Sequence, residues 1–242
     1  MNESFSNVYE DKIRADAYAK LEFPGTYYLA FRDLPEIISK HINGTKAVDF
    51  GCGTGRSTRF LRRLGFDVIG IDISDPMIAR ARERDPEGKY CLVSNDSLNE
   101  LESTAYDLVL SAFAFDNIAT MQKKVSLFHS FKRLLKPGGC VINLVSAPEI
   151  YVHEWTSFST KDFPQNRTAR SGDKVLIVML DVEDRRPVED IFWTDQDYQD
   201  VYQRAGLQLA KIHRPLANEN EPYSWVSETT ISPWAIYIVQ KS

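Results

Sequence analysis

Gly51, Gly53 and Gly55 stand at alternate positions directly after a short apolar run, Val48 to Phe50, and Asp72 closes the next apolar run, Val68 to Ile71. Those residue types at that spacing suit a ligand that carries a polar tail and a ribose. Glycine admits positive φ and lets a ligand lie against bare backbone. The helix expected next, Ser57 to Leu64 with Phe60, Leu61 and Leu64 on one face and Gly65 as its stop, offers unpaired N–H groups and the positive end of its dipole. A carboxylate at the tip of the second strand accepts from both ribose hydroxyls and repels a 2′-phosphate. A dinucleotide fingerprint would place its third glycine one position later, where Arg56 stands. A plain strand–helix–strand unit with a surface acid is the bland alternative. The glycines and the acid occurring together weigh against it.

Other chemistry is sparse. Asp116, just past the fourth apolar run, is the best-placed acid to act as a base. His153 and His213 are distant alternatives. No Ser-His-Asp arrangement and no metal-ligand cluster stands out, so no metal is expected. Cys52, Cys91 and Cys140 lack metal or redox spacing. Each falls in or beside an expected strand, where a small buried thiol suits a reducing compartment.

The elements that must position these residues alternate. After the first two strands, Asp75-Pro76 opens a helix with Met77, Ile78 and Ala81 facing inward, ended by Pro86 and Gly88. Lys89 to Ser94 and the unbroken apolar run Tyr106 to Phe113 read as the third and fourth strands. Met121, Val125, Phe128 and Leu135 mark a helix stopped by Pro137-Gly138-Gly139, and Cys140 to Val145 is the fifth strand. Alternation of this kind implies right-handed crossovers and a parallel α/β sheet, with ligands beyond the carboxyl ends of the strands. Ahead of it, Ile13, Ala17 and Leu21 recur at helical spacing, and Phe31, Leu34, Ile37 and Ile38 mark a second helical piece. Behind it, Lys174 to Asp181 and Val188 to Trp193 read as a hairpin, Thr194 caps a helix with Asp197 three residues on, and Leu207 to Pro215 and Trp234 to Lys241 form a last strand pair.

The segments D49-F-G-C-G-T-G55, V68-I-G-I-D-I-S74, M77-I-A-R-A81 and L134-L-K-P-G-G-C-V-I-N-L144 together resemble the class I S-adenosylmethionine-dependent methyltransferases, over residues 47 to 146. The resemblance implies a Rossmann-like, doubly wound, mostly parallel seven-stranded sheet with an antiparallel last strand at its edge, an N-terminal helical lid and a hairpin insertion near the site mouth. It implies one domain: a lid over 1–42, a cofactor core over 45–146, and substrate-side elements over 147–242. It implies S-adenosylmethionine as methyl donor, with S-adenosylhomocysteine as product. Gly51, Cys52, Gly53, Thr54 and Gly55 would meet the methionine tail, Asp49 its ammonium, and Asp72 the ribose. Ile73 and Met77 would hold the adenine, and Asp96 would accept from its amino group, flanked by Asn95 and Ser97. Ser111, Ala112 and Phe113 would line the tail and methyl. From the lid, Tyr9, Tyr18, Tyr27, Tyr28 and Arg32 are candidates to face the cofactor, and the Arg32 guanidinium matches a carboxylate bidentately.

The acceptor is expected to be a small, partly aromatic or apolar molecule. Phe115, Trp155, Trp193 and Tyr198 are the pocket candidates with Tyr28 and Asp116, while Trp234 is expected in the core of the added strands. The 242-residue chain suits a single core. Its 43% hydrophobic and 26% charged content is ordinary, and its net charge of −5 disfavours a nucleic-acid partner. Arg56, Arg59, Arg62 and Arg63 read as a solvated helix face. No run is long and apolar enough to span a membrane. With a polar, acidic start, the expectation is a cytoplasmic monomer or homodimer. A binding protein that does not methylate and a nicotinamide dehydrogenase are the alternatives, disfavoured by the intact motifs and by Arg56 respectively.

Overall fold

The computed structural model describes residues 22–94 and 97–241, Ser97 by its backbone alone. The expected helix around Ile13, Ala17 and Leu21 therefore lies outside the described residues. So do Tyr9, Tyr18, Asn95, Asp96 and the Ser97 side chain.

Two short helices come first, α1 (Thr26–Arg32) and α2 (Leu34–His41), with Pro35 at the first turn of α2. The alternating core follows as β1 (Lys46–Phe50), α3 (Arg56–Arg63), β2 (Asp67–Asp72), α4 (Asp75–Arg84), β3 (Lys89–Leu92), β4 (Tyr106–Ala112), α5 (Met121–Leu134) and β5 (Leu135–Ser146). β1 lies parallel between β2 and β4, with β3 beyond β2 and β5 beyond β4. Successive residues of β4 go to opposite sides: Leu108 and Leu110 join the cluster with α1, α2 and Leu61, while Val109 joins the one with α5. A sheet covered on both faces needs such unbroken apolar runs. Leu64 departs from expectation: it is exposed, and Leu61 is the apolar residue fully buried on that helix, beside Thr58.

After β5 the chain builds a second, three-stranded antiparallel sheet of β6 (Phe158–Ser159), β7 (Lys174–Met179) and β8 (Val188–Ile191). Then α6 (Asp195–Arg204), opened by the Thr194–Asp197 capping box, leads to β9 (Gln208–His213) and β10 (Trp234–Gln240). The large sheet runs β3-β2-β1-β4-β5-β10-β9. β10 is antiparallel to β5, as expected, and β9 pairs antiparallel beyond it at the edge. Residues 234–239 are buried without a break, whereas β9 has no fully buried residue, so β9 takes the solvated rim.

A buried polar clasp joins distant segments beside the sheet. Glu228, fully buried, accepts from Thr26 Oγ1 at 2.6 Å, Thr156 N at 2.8 Å and Val226 N at 2.9 Å. Thr26 and Ser157 exchange backbone and hydroxyl hydrogen bonds, and Trp234 Nε1 donates to Thr26 O at 2.8 Å. A buried carboxylate with this many donors is satisfied rather than orphaned.

Candidate functional site

The glycine turn leaves β1 and is pinned to β2. Gly51 N and Cys52 N both donate to Ile71 O, and Gly53 N donates to Asp72 Oδ2 at 2.8 Å. Gly51 has φ +69°, and a Cβ there would sit 2.4 Å from that of Ala114. Gly53 has φ +53°, and a Cβ there would meet no atom of another described residue within 4 Å, apart from its chain neighbours, so its free side faces open space. Asp72 Oδ1 accepts from Ser74 N at 2.8 Å. Burial raises the Asp72 pKa, and the Ser74 and Gly53 N–H groups oppose that rise.

Beneath the turn, Asp49 is fully buried. Its Oδ2 accepts from Ser57 Oγ at 2.7 Å and Thr58 Oγ1 at 2.5 Å, whereas Oδ1 has no partner among the described residues. Burial pushes this carboxyl up to about 6. An orphaned buried carboxylate oxygen calls for a donor from outside the described residues. That donor fits an ammonium, and the open face at Gly53 fits a ligand tail. The residues present therefore suit S-adenosylmethionine.

A single cavity runs across the carboxyl ends of the strands. At one end it is lined by Gly51, Cys52, Gly53, Thr54, Asp72, Ile73, Met77, Val93 and Leu98. Ala112, Phe113, Ala114 and Asp116 line its middle. Ile150, Phe158, Ile177, Met179, Val188, Asp190 and Trp234 form the other end. Phe113 has φ +66°, a strained value for a residue with a Cβ. Its ring packs on Trp234 at 4.8 Å and Tyr27 at 5.6 Å between centroids. Arg56, expected on a solvated face, lines the cavity too, its guanidinium 4.9 Å from the Tyr27 ring centre. Three aromatic neighbours of the lid turn it inward.

Asp116 is buried at the cavity wall and accepts from Ser146 Oγ at 2.9 Å and from Ser146 N. Burial pushes it up to about 6, against the pull of Ser146 and Lys124. Lys124, fully buried, donates to Phe115 O at 2.5 Å, and burial pushes it down to about 7. Asp190 also lines the cavity, accepting from Tyr151 Oη at 3.1 Å.

Several expected residues lie away from this cavity. Arg32 is tied to Asp33, to Glu221 at 2.7 Å and to Leu216 O, at the surface. Tyr28 packs on Tyr223. Phe115 is fully buried between Phe50, Phe128 and Phe131, on the far side of the sheet. Trp155 is buried with Nε1 donating to Ile150 O. Trp193 and Tyr198 are core around Lys124, whose Nζ sits 5.0 Å from each ring centre. Ser111 and Gly55 support the site from behind: Ser111 is fully buried, and Gly55 caps α3 at φ +81°. His213 pairs with Asp33, and His153 stands beside Trp155. Tyr27, Ala112 and Phe113 do line the cavity. Sequence reasoning missed Asp190, Phe158 and the hairpin walls Ile177, Met179 and Val188. Only the alternation of the hairpin hinted at an inward face. It also placed Trp234 in the core, where it is buried, without seeing that the same side chain walls the cavity. Among the described residues, no group of His, Cys, Asp and Glu could hold a metal ion, and no helix is long and apolar enough to cross a membrane.

Residues 48–143 match the family model described as a methyltransferase domain. Over 101 residues the chain is 39% identical to Phosphoethanolamine N-methyltransferase 1 of Zea mays, a match covering 41% of this chain and 20% of that protein. Over 102 residues it is 32% identical to the Ubiquinone biosynthesis O-methyltransferase of Methylococcus capsulatus, covering 40% and 42%. The chain thus spans less than half the length of these two relatives. The crystal structure of an S-adenosylmethionine dependent methyltransferase from Mesorhizobium loti shares the fold, with a TM-score of 0.62 over 87% of this chain and 97% of that one, at 20% identity. The matched segment contains the glycine turn and Asp72, and the shared fold extends beyond it on both sides. Residues 48–143 are thus similar to a methyltransferase domain, and the chain around them shares the fold of a solved S-adenosylmethionine-dependent methyltransferase.

Proposed function

We propose that this chain transfers a methyl group from S-adenosylmethionine to a small acceptor with an apolar body. One observation carries the reading: the glycine turn with Asp72 and a second, mostly apolar chamber open into the same cavity. A largely apolar pocket with a few polar groups is the usual form of a small-molecule site.

When bound, S-adenosylmethionine supplies a methyl group on a sulfonium, already reactive toward a nucleophile. The chain's own work is to bind, align and exclude water. Asp72 accepts from the ribose hydroxyls. Ile73 and Met77 hold the adenine. Asp49 Oδ1 takes a hydrogen bond from the ammonium, and the turn from Gly51 to Thr54 lies against the tail. Ala112 and Phe113 line the path of the methyl. Asp116 accepts a proton from an acceptor that must lose one. The three unpaired thiols suit a reducing, cytoplasmic setting.

Calorimetry with S-adenosylmethionine, S-adenosylhomocysteine and NAD is the first test, with binding expected for the first two alone. Turnover of labelled S-adenosylmethionine on a panel of small metabolites is the second. Binding of NAD with no response to S-adenosylmethionine would sink the reading.

A further inference from the structure

The inserted hairpin brings to the cavity a carboxylate that the reading above does not use. Asp190 lies on β8, which packs against the turn at residues 114–117 that carries Asp116. Only 9% of Asp190 is exposed, and it lines the cavity. Tyr151 Oη donates to Oδ2, whereas Oδ1 takes no hydrogen bond from any described residue. Asp190 is thus a nine-tenths-buried acid with an unused oxygen facing a ligand chamber. Around it the walls are apolar: Ile177, Met179 and Val188 from the hairpin, with Phe158 and Trp234.

Charge decides what such a chamber would accept. The ionisable groups packed around Asp190 are Asp116 on the turn after β4, Lys124 on α5, and the phenols Tyr151 and Tyr198, while Arg56 and Lys123 line the same cavity, Arg56 beside the rings of Phe23, Tyr27 and Phe31. The phenols stay protonated, because burial pushes both well up. Lys124 is one cation for two acids, and it stands behind the cavity wall, on Phe115 O. A buried pair of acids with one buried cation behind the wall cannot hold two negative charges cheaply. Burial first and Asp116 second raise the pKa of Asp190. A neutral hydroxyl leaves that imbalance as it is. A cation entering the chamber removes it.

We propose that Asp190 and Asp116 together form the acceptor subsite, and that the acceptor is a protonated amine carried on an apolar body. This rests on the methyltransferase reading and names the substrate class of its second chamber. The ammonium is held between the two carboxylates and ionises both. One N–H proton then passes to a carboxylate oxygen, which frees the nitrogen lone pair. That pair forms the bond to the methyl carbon as the carbon–sulfur bond breaks, its electrons remaining on sulfur. The product is a methylated ammonium and a neutral thioether, with one proton left on the acid pair.

The test uses the whole chain saturated with S-adenosylhomocysteine, and calorimetry with phenethylamine and its neutral isostere 2-phenylethanol. The wild type is expected to bind the amine at least tenfold more tightly than the alcohol. It should also release up to about one proton at neutral pH, read from titrations in buffers of different ionisation enthalpy. Asp190→Asn should bring the preference to within about twofold while S-adenosylhomocysteine affinity is kept. Asp190→Glu, which retains the charge, should retain the preference, and it decides the matter should Asp190→Asn fail to fold. No amine preference in the wild type, a preference that survives Asp190→Asn, or one lost in a folded Asp190→Glu overturns the proposal. A wild type that fails to bind S-adenosylhomocysteine sinks the methyltransferase reading itself, which is a separate result.

Discussion

The amide of Gly53 donates to Oδ2 of Asp72 at 2.8 Å, so the loop after β1 and the tip of β2 are held as one piece. Asp72 has two tasks in consequence: it faces the cavity and fixes the shape of the glycine turn beside it. Asp72→Ala should weaken S-adenosylmethionine binding by about 1.5–3 kcal/mol, the range for hydrogen bonds to a charged group. The fold should survive. Calorimetry on the purified variant checks this, and an unchanged affinity removes Asp72 from the site.

Gly53 separates binding from stability. An alanine at its φ of +53° should cost about 1–2 kcal/mol of backbone strain. The new methyl would touch no other described residue beyond its chain neighbours, yet it would stand where the ligand tail is expected. Gly53→Ala should therefore lower the melting temperature slightly and cut affinity by more than about tenfold. Equal affinity in the two proteins would mean that the ligand does not rest on this turn.

The tryptophans expected to touch substrate are better tested as packing. Trp155 is 2% exposed, with its indole N–H satisfied by Ile150 O. Trp155→Ala should destabilise the chain by about 3–5 kcal/mol, measured by urea unfolding. Trp193→Ala should behave in the same way. Full stability in either variant would return that residue to the candidates for substrate contact.

Asp116 gives stability a definite pH dependence. In the folded chain its carboxyl titrates near 6, against an ordinary 3.8. Between those values the folded state holds a proton that the unfolded chain has lost. The Asp116 contribution to stability therefore declines as pH rises from about 4 to about 6 and stays low above. Asp116→Asn removes that decline, so the variant should gain on the wild type across this window by on the order of 2–3 kcal/mol. Urea midpoints at pH 4 and pH 7 are the measurement. A constant difference between the two proteins would show that Asp116 is not held protonated by burial.

The parts of the fold that were legible from sequence are those in which neighbours in sequence decide the structure. Val48, Ile71, Val109 and Val141 sit in apolar runs because both faces of their strands are covered. Thr194 and Asp197 announce their helix because the capping bonds span three residues. The misread residues are those whose partners are remote. Arg32 looks available for a carboxylate until Glu221 comes beside it. Trp234 reaches the cavity only because β10 pairs with β5 so that Trp234 stands opposite Ser146, the residue that holds Asp116. A two-residue periodicity marks the two faces of a strand but does not say what either face meets. Asp190 was hidden for the same reason, as a polar residue inside an apolar hairpin.

The clasp of Thr26, Ser157, Glu228 and Trp234 bears on how the molecule comes together. The Thr26–Glu228 and Thr26–Trp234 bonds join residues 202 and 208 positions apart, whereas Gly53 and Asp72 are 19 apart. Closing a loop some tenfold longer costs about 2 kcal/mol more chain entropy. The cofactor end of the cavity is therefore assembled from near neighbours. The chamber wall at Trp234 depends on the costliest loop closure, and contacts of such range slow a folding chain. Mutations in the clasp should register first in the refolding rate, with the glycine turn and its carboxylate still able to form beside an unfinished wall.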